Sequence, residues 1–298
     1  MSINRNIVLD SQLLNSLQLC GYRTDLYFNK NYRPNFKAEA LEKGDLIHLI
    51  FKVFYILQVR RPDIPYFTAV EMAIKLGREH AVLNLGLDLD TSEESIYQAT
   101  EYFKHYEGEY WTPKYVEKPF AKIIYESEED NLRIIYEGIV DLVVNTKVGE
   151  AIVDHKSASR NSDSTYLGLS NQFKGYAYSL ETLNVVINKV GFQKTLKPAE
   201  RFKRIPITYE QATLDEWARE TIWWGQQLLF YIESNTWPMN HTSCDKYSGC
   251  IFNKACIHEP GDSRDWILQQ EYIIGKKWSP QDRDAELDAK IDELIKAA

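Results

Sequence analysis

The chain predicts an α/β fold, a single mixed sheet with helices around it, and three features of its 298 residues carry that prediction. Apolar residues recur at helical spacing through the first third. Strand-like runs rich in β-branched residues follow between Tyr115 and Lys156. Helix and strand signals then alternate as far as Ser234.

Ser11–Leu19 reads as a short helix with Asp10 or Ser11 as its cap, stopping near Cys20 and Gly21. Glu39–Val59 carries Leu41, Leu46, Leu49, Ile50, Val53, Phe54 and Leu57 at helical period, and Pro62 and Pro65 end it. Two further helices are expected at about Thr68–Leu85 and Ser92–Glu107, the latter with acidic residues in its first turn. Tyr115–Tyr125 and Leu132–Val144 read as strands separated by the acidic turn Glu126–Asn131. Glu150–Lys156 is a third strand, after the turn Lys147-Val148-Gly149. A helix at Asn171–Leu180 precedes a strand pair, Val185–Lys194 and Phe202–Thr208. A long helix follows at about Tyr209–Ser234, with Trp217, Ile222, Leu228 and Leu229 as core candidates. Residues 235–261 read as loop and hold three of the four cysteines, and the charged tail 262–298 turns helical near its end. The expected organisation is a cysteine-bearing segment (1–36), a helical region (37–110), a core (111–234), a second cysteine segment (235–261) and a tail. There is no internal repeat.

Hydrophobic residues make up 44% and charged residues 26%, an ordinary balance for a chain able to bury a large core. With 35 Lys+Arg against 43 Asp+Glu the net charge is −8, so any contact with nucleic acid must rely on local positive charge. The first ten residues lack the apolar run of a signal peptide, and no stretch reaches the ~20 apolar residues of a membrane span. A cytoplasmic protein is expected, in which four cysteines serve as metal ligands or core residues rather than crosslinks.

The central motif is Gly138-Ile139-Val140-Asp141, a turn, then Ile152-Val153-Asp154-His155-Lys156. Residues two apart on a strand share a side, so Asp154 and Lys156 project together and His155 faces away. Hairpin pairing would bring Asp141 to Asp154. Two carboxylates beside an ammonium suit a divalent cation, whose hard character favours carboxylate oxygen and which lowers the pKa of bound water. The same spacing also fits a surface salt-bridge cluster. The flanking strands are so apolar, however, that a central position is expected, where a solitary charge is costly.

The ordered set Gly44-x-x-x-His48, Gly138-x-x-Asp141, Asp154-x-Lys156 and Gln172-x-x-x-Tyr176 resembles the PD-(D/E)XK nucleases, specifically their RecB-like exonuclease branch of AddB, CRISPR-associated and phage types. The resemblance spans about Ser11 to His258. Val140 stands where the family's name has proline. The resemblance implies a restriction-endonuclease-like mixed central sheet flanked by helices. It implies that His48, Asp141, Asp154 and the backbone carbonyl of His155 bind Mg²⁺ or Mn²⁺, with Glu117 as a weaker candidate. It implies Lys156 as the catalytic lysine, and Gln172 and Tyr176, one helical turn apart, as residues that position the DNA strand. A helical histidine such as His48 is, by itself, as compatible with simple packing.

Cys20 near one end and Cys244-x5-Cys250-x5-Cys256 near the other could hold a [4Fe–4S] cluster or Zn²⁺. One early and three late cysteines resemble the iron–sulfur staple of RecB-like nucleases, which would join the two chain ends in a cysteine lobe. The family pattern is C-x-x-C where this chain has C-x5-C. Lys189, Lys194, Lys197, Arg201, Lys203 and Arg204 form a basic stretch expected as a loop between two strands, able to touch phosphates or to be simply solvated. Trp223, Trp224 and Tyr178 could stack on bases, but their helical spacing points to core packing. The expected partners are DNA with free ends and a helicase or recombination protein, with no membrane. Two rival readings remain: a catalytically inactive, nuclease-like DNA-binding or scaffolding subunit, and a structural zinc protein.

Overall fold

The structure is a computed structural model that describes residues 3–35, 39–81, 87–108, 111–158, 166–246, 249–277, 279–280 and 285–297. Numbered along the chain, the strands are β1 (Arg5–Leu9), β2 (Tyr32–Pro34), β3 (Thr112–Ser127), β4 (Leu132–Thr146), β5 (Gly149–Ala158), β6 (Asn184–Gly191), β7 (Phe202–Thr208) and β8 (Tyr272–Ile274). The helices are α1 (Ser11–Leu19), α2 (Gly21–Thr24), α3 (Glu39–Arg60), α4 (Tyr66–His80), α5 (Leu89–His105) and α6 (Asn171–Leu180). They continue with α7 (Pro198–Arg201), α8 (Gln211–Ser234), α9 (Asn253–Cys256), α10 (Asp262–Glu271) and α11 (Ala285–Ala297). The chain forms two compact units, each drawn from several stretches of sequence.

One unit comprises Met1–Lys37, Ala121–Gly138 and Ala212–Ser279. Here β1 runs parallel to the first half of β4, Arg5 opposite Leu132 and Leu9 opposite Tyr136. The Asp10 carboxylate caps α1 by accepting the N–H groups of Gln12 and Leu13 at 2.7 and 2.8 Å. Tyr136 stacks edge-on against Trp217 of α8, and Gly225 lets that helix close on Ile134. Trp223 of α8 is half exposed, so the core face of this helix belongs to Leu214, Trp217, Thr221 and Leu228 rather than to the tryptophan pair. A small apolar core of Leu26, Phe252, Ala255, Leu268 and Tyr272 lies beside the antiparallel pair β2–β8. β1, β2, β8 and α10 are elements the sequence patterns did not indicate.

The other unit comprises Ala38–Phe120, Ile139–Gln211 and Pro280–Ala298. The second half of β4 pairs antiparallel with β5, β5 pairs parallel with β6, and β6 pairs antiparallel with β7. The parallel pair needs a crossover, and α6 lies within it. Helices α3, α4 and α5 pack together over an aromatic core of Phe51, Phe54, Tyr102 and Phe103. Helix α5 begins at Leu89, earlier than the expected Ser92, because Asp88 is the cap. Its carboxylate accepts the Thr91 N–H at 2.8 Å and the Thr91 hydroxyl at 2.7 Å. The helix expected to reach Leu85 is assigned to His80, and residues 82–85 lie outside the described residues. The basic stretch is not a free loop: Lys189 lies in β6, Arg201 ends α7, both are buried, and Lys203 and Arg204 belong to β7.

Close approach of α4 to α3 depends on Gly77, where an added Cβ would stand 2.5 Å from Ile50 Cγ1. Overpacking of this kind costs on the order of 1–3 kcal/mol, so Gly77→Val should lower the urea midpoint accordingly. Ile50→Ala alone should cost roughly 2–5 kcal/mol. The double variant should lose less than the sum of the singles by about 1 kcal/mol or more. Strict additivity would show that this contact does not set the helix spacing.

Candidate active site

The antiparallel register places Leu142 opposite Val153, which makes Asp141 and Asp154 neighbours at the end of that ladder. Asp141 Oδ2 accepts the backbone N–H of His155 at 2.7 Å, a bond that ties the two strands together at this point. Lys156 Nζ stands 2.7 Å from Asp154 Oδ2, an ion pair whose angle is not that of an aligned hydrogen bond. Asp154 is 1% exposed, whereas the Lys156 side chain is 40% exposed and reaches toward solvent. On the same side, Phe173 of α6 lies under the Lys156 ammonium, 5.7 Å from it.

His48 comes from α3, with Nδ1 3.6 Å from Asp141 Oδ2. One turn earlier, Gly44 gives the helix room against β5, since a Cβ there would meet Ser157 Oγ at 2.7 Å. Glu117 joins from β3 with a left-handed φ of 50°, a strained conformation for a non-glycine residue inside a strand and one that clusters at functional sites. Its carboxyl responds to the charges of Asp141, Lys52 and His48, which places it in the same cluster.

Burial sets the protonation pattern. It pushes Glu117 up to about 7, with the Asp141 charge adding to the effect and Lys52 and His48 opposing it. It pushes Asp154 up to about 6 despite Lys156, with Asp141 again adding. Asp141 is buried as well, yet His48, His155, Lys156 and the His155 N–H outweigh burial and hold its carboxyl below the ordinary range. Burial pulls the His155 imidazole down to about 3, so it is neutral. The result is one carboxyl held low beside two that are raised, the kind of separation that acid–base sites use.

Of the residues expected from sequence, His48, Glu117, Asp141, Asp154, His155 and Lys156 come together. His155 faces away from Asp154 and Lys156 as the strand period requires, and it is its N–H that the structure engages. Among the described residues, no three carboxylate, imidazole or thiolate groups stand close enough, as placed, to share one ion. Gln172 and Tyr176 meet each other, the amide donating to the phenol oxygen at 2.9 Å, and the Tyr176 ring is buried against Phe120. Sequence reasoning missed Lys52, Phe173 and Asn188. The signal for Asn188 was a lone amide within the apolar run Val185–Val190, and it is fully buried beside His155.

The four cysteines, all with free thiols, line one cavity in the other unit. Gly21 packs directly on Pro238, and the Tyr22 N–H donates to the Pro238 carbonyl at 3.1 Å, which brings Cys20 to the late segment. Cys20 Sγ accepts the Asn240 N–H at 3.4 Å, and the Cys250 N–H donates to the Cys244 carbonyl at 2.8 Å. Burial, with the neighbouring Cys250, Cys20 and Cys244, pushes the Cys256 thiol up to about 11.

A sequence profile of the PD-(D/E)XK nuclease superfamily matches residues 12–257. Among solved structures, the fold is similar to that of a candidate exonuclease from Eubacterium rectale, with a TM-score of 0.50 at 12% identity over 80% of this chain and 86% of that one. The solved structure of SSO0001 aligns over 59% of this chain and 73% of that one at 12% identity, with a TM-score of 0.30 that carries no argument. No curated protein matches. No described helix is long and apolar enough to cross a membrane.

The raised carboxyls give a stability test. A carboxyl whose folded pKa lies above its unfolded value favours folding at low pH and loses that contribution as pH rises through the folded pKa. For Glu117 the window runs from 4.5 to about 7. In EDTA, Glu117→Gln should match the parent chain near pH 4.5 and exceed it at pH 8 by on the order of 2 kcal/mol in urea unfolding. A variant that is less stable at pH 8 would refute the burial of this carboxyl in the cluster.

Proposed function

The chain belongs to the PD-(D/E)XK nuclease superfamily, and from that membership we propose that it is a metal-dependent DNA exonuclease acting on free ends in recombination, repair or phage DNA processing. The observation that carries the reading is the convergence of Asp141, Asp154 and Lys156 at adjoining strand positions, with His48 and Glu117 beside them.

The donor set fits a hard divalent cation, with carboxylate oxygens and one imidazole and with a buried Asp154 oxygen that lacks an aligned hydrogen bond. His48, Asp141, Asp154 and the His155 carbonyl would hold Mg²⁺ or Mn²⁺, with Glu117 as a further ligand. Bound there, the cation would polarise the phosphodiester and acidify a water. Asp141 holds the β5 backbone in place through the His155 N–H. Lys156, paired to Asp154 yet open to solvent, orients the attacking water and offsets charge building on the phosphate. Gln172 and Tyr176 brace each other on α6 and align the strand being cut.

We propose that the four cysteines hold a [4Fe–4S] cluster, with Zn²⁺ as the alternative. All four thiols line one cavity, and a bound metal would take them as thiolates. A helicase or recombination protein that supplies DNA ends, and action in the cytoplasm, complete the proposal.

Asp154→Ala and Lys156→Ala should each lower cleavage of end-labelled linear DNA in Mn²⁺ by about 100-fold or more, with unchanged circular dichroism. EDTA should abolish cleavage in the parent chain. Full activity in either variant would end the assignment, and a chain that binds DNA but never cuts it would favour the inactive scaffolding subunit.

Protein purified without oxygen should be brown and carry about four irons per chain if the cysteines hold the cluster. Stoichiometric zinc without iron would replace the cluster with the zinc reading.

A further inference from the structure

Behind the cluster, on the opposite face of β5, lies a line of buried polar groups. His155 is 3% exposed, with Phe51 4.7 Å from its ring and Tyr55 stacked parallel at 5.8 Å. A hydrocarbon would pack at least as well there, so the imidazole needs a polar reason. Its Nδ1 lies 2.8 Å from Asn188 Nδ2, and Asn188 sits opposite His155 on the parallel strand β6. Asn188 Oδ1 accepts the Tyr102 hydroxyl at 2.8 Å, from α5. The Tyr102 oxygen accepts Arg204 Nε at 3.3 Å and Nη2 at 2.9 Å, and Arg204 is opposite Asn188 on β7. Aromatic faces hold the Arg204 guanidinium, 3.7 Å from the Tyr106 ring centre and 3.6 Å from that of Trp111.

The direction of every bond follows from chemistry. A guanidinium can only donate. The phenol proton therefore passes forward to Asn188 Oδ1. That leaves the Asn188 amide nitrogen to donate toward His155, whose Nδ1 must accept and whose Nε2 must carry the hydrogen.

We infer that Arg204, Tyr102 and Asn188 form a directed hydrogen-bond chain that fixes the His155 imidazole and, through it, the peptide that carries Asp154 and Lys156. The catalytic part of the inference rests on the proposed nuclease reading. The structural part does not. His155 lies between the two site residues, and its N–H is the group Asp141 accepts, so the ring and the backbone of one residue are clamped from opposite sides. These three are positioning residues, since none of them touches the reacting groups.

The test uses the full chain with ¹⁵N-labelled histidine, the His155 signals being those lost in His155→Gln. The expected pattern is the Nε2–H tautomer alone. Tyr102→Phe removes the proton that orients Asn188. It should give a mixed or shifted His155 pattern and speed exchange of the His155 backbone N–H by about 10-fold relative to that of Val153. It should also lower kcat by roughly 10-fold or more with KM for DNA nearly unchanged. Asn188→Asp, which offers an acceptor instead of a donor, should move the hydrogen to Nδ1. An Nδ1–H tautomer in the parent chain would overturn the proposal. So would a Tyr102→Phe chain whose His155 and Val153 amides speed up equally, because that is the signature of general loosening. If no DNA is cut under any condition, the nuclease reading fails, while the tautomer and exchange results still decide whether the clamp exists.

Discussion

Everything at the site depends on a single hydrogen bond of 2.7 Å, in which a side-chain carboxylate from one strand accepts a backbone N–H from the next. A buried carboxylate is costly unless it is paired and hydrogen-bonded. Asp141 satisfies that condition by holding the His155 peptide, so its own ionisation becomes a structural element of the sheet. Asp154, although ion-paired to Lys156, and Glu117 are instead raised by burial and by the Asp141 charge. The charges around Asp141, that of His48 first, do most to hold its carboxyl below the ordinary range against burial, and the N–H adds to them.

The two-residue period of a strand then separates two tasks on β5. One face carries Asp154 and Lys156, and the other carries the imidazole with its amide, phenol and guanidinium. A side chain on the second face can be neutral and buried while its neighbours on the first are charged and, for Lys156, partly exposed. Helix α3 contributes to both: His48 approaches Asp141, and Phe51 and Tyr55 pack on the His155 ring. Gly44 makes the first contact feasible by removing a side chain from the point where α3 meets Ser157.

Local patterning made most of this unit legible. The β4–β5 hairpin, the register of its acids and the exact span of α6 follow from alternation, turn residues and helical period. What escaped had non-local causes. β1 is five residues long and makes sense only beside Leu132–Tyr136, more than a hundred positions away. The start of α5 was missed because Leu89 is exposed and adds nothing to the apolar period, while the cap that matters is Asp88. The strained φ of Glu117 has no sequence signature. The basic stretch misled because charge suggests solvent, whereas Arg201 is buried and donates to Gln98, and Arg204 is gripped between aromatic rings.

A chain of net charge −8 that presents three acids at its centre is poorly suited to receive a phosphate backbone on its own. On the proposed reading this is a condition and not a defect. Without a cation, burial raises Asp154 and Glu117 and Lys156 stays paired to Asp154. A divalent ion held by Asp141, Asp154 and His48 would replace protons as the countercharge, and burial would strengthen the carboxylates' hold on it by excluding water. Lys156, the main charge that offsets Asp154, would then become available to the substrate. On the proposed reading, phosphate affinity and catalytic competence would both follow from the same exchange of protons for metal at the carboxyls that burial raises, Asp154 and Glu117.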